Sequence, residues 1–430
     1  MSNVIARRAF LRGAAASLTI RSLARAETLP PIRALTRGPK FHWFGYYDKL
    51  QFDPTGRYVL SNEVGFEHRS PTAEDVIKVG MVDTTDGDRW TELGETRAWN
   101  WQQGCMLQWL PGSRTEVIWN DRQGGGFVAH ILDVKTRRRR TLPAPVYALS
   151  PDGRFAVLPD FRRLNETRPG YGYAGLTDPR QDQLAPRETG LSRMDLRTGE
   201  VKLLFSFAEI SQFPYREVGQ IKNDPARSKH WFNHLLYAPG GRRFLFLHRW
   251  RALTGQETRQ QMAGGGAWST RMFTADAGGG GLHVVDPYGR TSHFVWRDPE
   301  HICAWAWHPS HGDKFYLYRD RAEEVEVVAP EVMTENGHNT YLPGNQWILN
   351  DTYPDKQRLQ HPYLYHVPTG RRHPLGHFHS PPEYTSEWRC DTHPRSSPDG
   401  RRVVIDSPHG GNGRQMYLID VGGIVGKGGA

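Results

Sequence analysis

Seven copies of one turn signature recur along this chain of 430 residues and restrict its fold more than any other feature. They read FDPTGRYVLS (52 to 61), LPGSRTEVIW (110 to 119), SPDGRFAVLP (150 to 159), APGGRRFLFL (238 to 247), HPSHGDKFYLY (308 to 318), LPGNQWILND (342 to 351) and SPDGRRVVID (397 to 406). Each sets Pro with Gly or Asp in a hairpin turn between an upstream apolar strand and a downstream alternating one. A weaker signature follows several of them, a strand ending in Asp or His and then a turn: MVDTTDGDRW, ILDVKTRRRR, MDLRTGEVKL, VVDPYGRTSH and YHVPTGRRHP. The two alternate as the inner and outer hairpins of a four-stranded antiparallel blade would.

Irregular repeats rich in Gly, Pro, Tyr and Trp, with little helical periodicity, predict an all-β, seven-bladed β-propeller, with a pair of β-sandwiches as the competing architecture. The long gaps at 160 to 230 and 251 to 300 are expected as insertions on one face, with Gly264 to Gly266 and Gly278 to Gly281 as flexible parts of the second. No stretch reaches the roughly 18 consecutive apolar residues of a membrane span.

The N-terminus, MSNVIARRAFLRGAAASLTIRSLARAE, has Arg7-Arg8 ahead of Phe10-Leu11, then small apolar residues and an Ala24-Arg25-Ala26 cleavage site. This is the pattern of a twin-arginine export signal, so residues 1 to 26 are set apart from a single propeller over 27 to 430, and a periplasmic or secreted location is expected. That route exports folded proteins, so a metal could be in place before export. Three cysteines, Cys105, Cys303 and Cys390, are too few and odd in number for a disulfide framework.

The formal charge is +9, with 55 basic against 46 acidic residues. The arginines are scattered apart from Arg137 to Arg140, so nucleic acid is not indicated and an acidic oligosaccharide or polysaccharide suits the balance better. There is no G-x-S-x-G elbow, Walker loop, dinucleotide fingerprint or H-E-x-x-H, and no pair of acids stands out for glycoside hydrolysis.

In a blade, residues just before the innermost strand and just after its hairpin partner lie at the same rim of the channel. The turn at 238 to 241 is therefore expected to bring His234 and His248 together, with Arg249, Arg251 and Arg271 nearby. Two imidazoles beside guanidinium groups suit abstraction of a proton α to a carboxylate. The same rule pairs His338 with Asp351, and Cys390 and His393 precede the next inner strand. Together these four make a four-coordinate divalent-metal site, with zinc favoured by the thiolate and manganese or calcium as alternatives; His377 and His379 compete with His338 and Asp351. Arg249, and His42 and Tyr46 ahead of the first turn in FHWFGYYDK, are substrate-binding candidates.

The segments HLLYAPGGRRFLFLH, Arg271-Met272, HNTYLPGNQWILND and THPRSSPDG resemble the oligogalacturonate lyases, propeller polysaccharide lyases, over roughly residues 230 to 420. The resemblance implies β-elimination on a uronate-containing saccharide, with His248 as general base, Arg271 neutralising the carboxylate, and His338 and His393 on a metal. Cys390 stands where that pattern has an amide, and Arg395 where it has another His. The ulvan lyases, in which a His pair or a His and Tyr pair acts beside an Arg, are a second likeness, with His234 and His248 in those parts. The alternative is a non-catalytic, TolB-like propeller that binds or scaffolds. A monomer is expected.

Overall fold

The computed structural model describes residues 28–214, 223–264 and 268–426. Seven four-stranded antiparallel sheets stand as the blades of a propeller around a central channel. The innermost strands, blade one to blade seven, are Phe41–Trp43, Gln108–Trp109, Ala148–Leu149, Lys229–Tyr237, Thr291–Trp296, Thr340–Tyr341 and Arg395–Ser396. The ring is closed from both ends of the chain. Ile32–Ala34 adds the outermost strand of blade seven by pairing with Gln415–Asp420. Large apolar and aromatic side chains fill the gaps between blades, as in the packed trio Trp43, Trp99 and Trp101. Among the described residues no helix is long and apolar enough to cross a membrane.

Six of the seven turn signatures join the first and second strands of a blade. The exception is HPSHGDKFYLY, which joins His301–His308 to Gly312–Arg319, the second and third strands of blade five. VVDPYGRTSH likewise links blade four to blade five instead of closing an outer hairpin. The inner hairpin of blade five turns through Arg297 to Glu300, where Asp298 Oδ1 accepts from the amides of Glu300 and His301 at 2.9 Å. An Asx turn replaces the Pro-Gly signal there.

Two insertions leave the ring between the second and third strands of neighbouring blades. In blade three the insertion carries a helix, Phe161–Thr167, whose N-cap Asp160 accepts from Arg162 N and Arg163 N. In blade four it carries Arg259–Ala263, closed by a Thr258/Gln261 capping box. Gly278 to Gly281 belong to neither insertion. They form the tight turn between Ser269–Asp276 and His283–Gly289 in blade four. Gly265 and Gly266 lie outside the described residues, as does the export signal read over 1 to 26.

Candidate active site and metal centre

The innermost strand of several blades breaks its ladder at the channel, and the functional side chains sit at those breaks. Blade four has a bulge between Asn233 and Leu235, and His234 occupies it with φ +52°. Blade five is irregular between Thr291 and Phe294, which frees His293. His338 and His393 stand just ahead of the inner strands of blades six and seven, His393 with φ +38°. In blade one, Gly45 at φ +116° passes so close to blade two that a Cβ would meet the Gln103 carbonyl carbon at 2.7 Å. That contact lets the chain carry Tyr46 into the middle of the channel.

Tyr46 is the hub. Its ring stacks on His234 at 5.1 Å and meets His393 edge-on at 5.1 Å and His338 at 6.1 Å. Arg395 secures this loop, donating to Gly45 O at 3.1 Å, to Gln51 Oε1 at 2.8 Å and to the buried Asp406 at 2.8 Å. Around the rim, Gln103 Nε2 donates to Tyr147 Oη at 2.7 Å, and that oxygen lies 3.4 Å from His234 Nδ1. His293 and His393 flank His338 with ring centroids 4.1 and 4.2 Å away.

A candidate cation site follows from these contacts. Ligand atoms of His338, Asp391 and His393 lie within 4.8 Å of one another, and all three residues are buried. Asp351 orients the first: its Oδ1 lies 2.9 Å from His338 Nδ1 and accepts from the His338 amide at 2.7 Å, while its Oδ2 accepts from Thr392 Oγ1 at 2.5 Å. With Nδ1–H so held, Nε2 is the free coordinating nitrogen. His338 Nε2 and His393 Nε2 are both buried without a hydrogen-bond partner. Two orphaned imidazole nitrogens beside a carboxylate are what a borderline divalent metal takes.

This differs from the expected set in two places. Asp391 takes the position assigned to Cys390, and Asp351 stands behind His338 as its hydrogen-bond partner. Cys390 is buried, its thiol pushed up in pKa by burial, and it is outside the cluster. The thiolate argument for zinc therefore has no footing in the geometry. His377 lies 2.7 Å from His361, whose Nε2 contacts Asp355, and His379 is exposed, so neither joins His393.

His234 and His248 do not converge. His248 pairs in register with Phe232, and side-chain alternation puts it on the same blade face as His230. His248 Nε2 lies 2.8 Å from His230 Nδ1, whose Nε2 in turn meets Pro225 O at 2.8 Å. Because that carbonyl can only accept, His230 Nε2–H must donate to it, and His248 Nε2–H donates to His230 Nδ1. His248 Nδ1 is left to accept from Arg271, at 3.2 Å. Arg271 also donates to the carbonyls of Ile210, Phe213 and Pro214 of the blade-three segment. The expected base and its arginine are thus a fully buried lock between blades three and four, with both imidazole nitrogens engaged. His42 is also occupied elsewhere, between Glu63 at 3.2 Å and Gln415 at 3.3 Å.

Beside the candidate metal cluster opens a cavity of about 440 Å³, lined among others by His234, Arg249, Tyr171, Arg168, His293 and Tyr353 and, among the described residues, by no carboxylate. Burial, reinforced by Arg249, holds His234 well below the ordinary histidine pKa, so it is neutral. Tyr171 Oη accepts from Arg389 at 2.9 Å, and Arg389 Nε donates to Asp391 at 2.7 Å. Burial alone would raise the Tyr171 pKa, but Arg389 and then Arg168 outweigh it and lower it. Arg168, Tyr171, His293, Tyr353, Arg389 and Asp391 went unread in the sequence. Tyr171 and Arg168 come from an insertion without repeat signature, while Asp391 lay in plain view beside Cys390.

No family model matches this chain, and no curated protein matches it. Among solved structures it is similar to an oligogalacturonate lyase in complex with manganese, with a TM-score of 0.62 and 14% identity over 91% of this chain and 93% of that one. An oligogalacturonate lyase from Vibrio parahaemolyticus gives a TM-score of 0.60 and 13% identity over 91% of this chain and 93% of its own.

Proposed function

The oligogalacturonate lyase fold is the frame for this reading, and we propose that the protein is a metal-dependent lyase cleaving uronate-containing saccharides by β-elimination. The observation that carries the proposal is the carboxylate-free cavity in which a neutral His234, Arg249 and Tyr171 face the same space, next to the His338, Asp391 and His393 cluster.

Arg249 pairs with the uronate carboxylate and makes the adjacent C5 proton more acidic. Arg249 suits this because burial already strains its charge, its pKa lowered to about 10, and among the described residues its guanidinium donates only to Thr270 Oγ1, at 3.3 Å. His234 takes the C5 proton on Nε2 while its Nδ1–H donates to Tyr147 Oη. Burial keeps the imidazole neutral and ready to accept. As the C4–O bond breaks and the C4=C5 bond forms, Tyr171, its acidity raised by Arg389 and Arg168, gives its proton to the leaving oxygen. A divalent cation held by His338, Asp391 and His393 would add positive charge against the enolate-like carboxylate. The donor set of two imidazoles and one carboxylate suits manganese or zinc. Export by the twin-arginine route to the periplasm or beyond is part of the same proposal and rests on the N-terminal motif.

The experiment is a panel of polyuronates incubated with the purified protein, with and without added manganese or zinc, followed by the ultraviolet absorbance of the unsaturated uronate product. A metal-dependent rise on at least one acidic polysaccharide is expected. A flat trace on all of them would leave a binding propeller as the better description.

A further inference from the structure

His377 and His379 lie outside the channel cluster but belong to a second one. Leu359–Gln360, in the segment between the second and third strands of blade six, pairs with Phe378–His379, in the segment that leads to blade seven. In this two-stranded ribbon Leu359 faces His379 and Gln360 faces Phe378, so His361 comes opposite His377. Burial alternates along both strands: Gln360 and Phe378 are buried, His377 and His379 are exposed, and His361 is half-buried. Alternation therefore sets His361, His377 and His379 on one outward face. A His-x-His strand with a third His across the ladder brings three imidazoles within reach of one point.

The ring nitrogens are already ordered for a metal. Asp355 Oδ2 lies 3.0 Å from His361 Nε2, while Asp355 Oδ1 accepts from the amides of Gln357 at 2.8 Å and Leu359 at 2.9 Å. The Leu359 amide and then His361 hold the Asp355 pKa below the usual carboxylate range, so the group is ionised. An ionised carboxylate only accepts, so His361 donates through Nε2–H and, in the neutral ring, keeps its lone pair on Nδ1. That nitrogen lies 2.7 Å from His377 Nδ1. Two ring nitrogens so close share one proton, and a metal ion can take its place. Zn–N bonds of about 2.0–2.1 Å at the tetrahedral angle set ligand nitrogens about 3.3 Å apart, a small opening for an exposed His377. A carboxylate behind the imidazole is the usual support of a ligating histidine. Asp351 gives the same support to His338 in the channel, with the two ring nitrogens exchanged.

We infer that His361 Nδ1, His377 Nδ1 and His379 form an outer site for a late first-row divalent ion, zinc, nickel or copper, with Asp355 as its support. Three imidazoles without a carboxylate ligand favour these ions over manganese or calcium. His379 reaches the ion by rotating its exposed side chain. The ion staples the segment that leaves Asp351 to the segment that arrives at Asp391. Arg358 already ties the two, donating to Ser380 O at 2.8 Å and to Pro381 O and Tyr384 O at 3.3 Å. Being open to solvent, the site binds more weakly than the buried cluster and empties on dialysis against metal-free buffer.

The test equilibrates the full chain at a fixed free zinc concentration set by a chelator buffer and counts bound zinc by elemental analysis, without a wash. The parent is expected to hold one zinc more than His361→Ala, His377→Ala or His379→Ala, each with the parent's circular dichroism. Asp391→Asn should keep this outer equivalent, and Asp355→Asn should weaken it by about 10- to 100-fold. An equivalent retained by any one of the three histidine variants overturns the inference. So does an equal loss in His311→Ala, an exposed histidine of blade five, which would mark adventitious surface binding. No turnover enters the measurement, so this site stands or falls apart from the lyase reading.

Discussion

Asp391 and Cys390 are adjacent, yet only the carboxylate reaches His338 and His393. Asp391→Asn is therefore expected to lose the metal, measured by elemental analysis after dialysis, while Cys390→Ala retains one equivalent. Asp351 lies outside the His338, Asp391 and His393 cluster, but one of its oxygens holds both the ring and the backbone amide of His338. Asp351→Asn should weaken metal affinity by about 10- to 100-fold in a chelator competition, the usual cost of removing such a support. The sequence disclosed that a His-rich centre lay near Cys390-x-x-His393, because His338 and His393 hold the same place ahead of their strands. It could not disclose which side chain of Cys390-Asp391-Thr392 points inward, since the positive φ at His393 breaks the alternation that would have decided it.

At the scale of the hairpin, one rule gave two outcomes. In blade six, His338 and Asp351 flank the inner hairpin and do meet. In blade four, the bulge at His234 turns that side chain into the channel while His248 stays in register against Phe232 and joins His230. A bulge costs no residue type and leaves no mark in an alternating strand, so the parting of the two histidines was invisible. The His230–His248–Arg271 lock has a pH signature. Burial lowers the His230 pKa to about 4, below the ordinary 6.5, so the unfolded chain binds the proton first as pH falls. Stability from this group is full above about pH 6.5 and is lost progressively down to about pH 4, by roughly 3 kcal/mol. Denaturant melts at intervals across that range should show the decline, and His230→Gln should flatten it. His248→Ala, which empties a packed site and orphans His230 and Arg271, is expected to cost about 2–4 kcal/mol in the same melts.

The ring as a whole depends on Ile32–Ala34 sealing blade seven, the blade that carries His393. Removing residues up to Ala34 deletes three register pairs and should cost about 2–4 kcal/mol. Metal affinity should fall with it, because the seal and His393 share a sheet; thermal melts with and without added manganese would show both. Seven blades were legible because each needs tight turns and Pro, Gly and Asp mark them. The count survives even though the fifth signature belongs to a middle hairpin. The cavity wall was not legible: Arg168, Tyr171 and Trp268 come from insertions outside the repeat, and Arg259 ties the two insertions together, donating to Asn165 O at 3.4 Å and to the buried Glu387 at 2.9 Å. The central claim is that chemistry occurs in the channel, at His234, and not at the blade-three interface. The rate of unsaturated-product formation by metal-loaded His234→Ala, compared with the parent at equal metal content, tests it most directly. A fall of about 10²- to 10⁴-fold is expected for loss of the base; an unchanged rate would contradict the account.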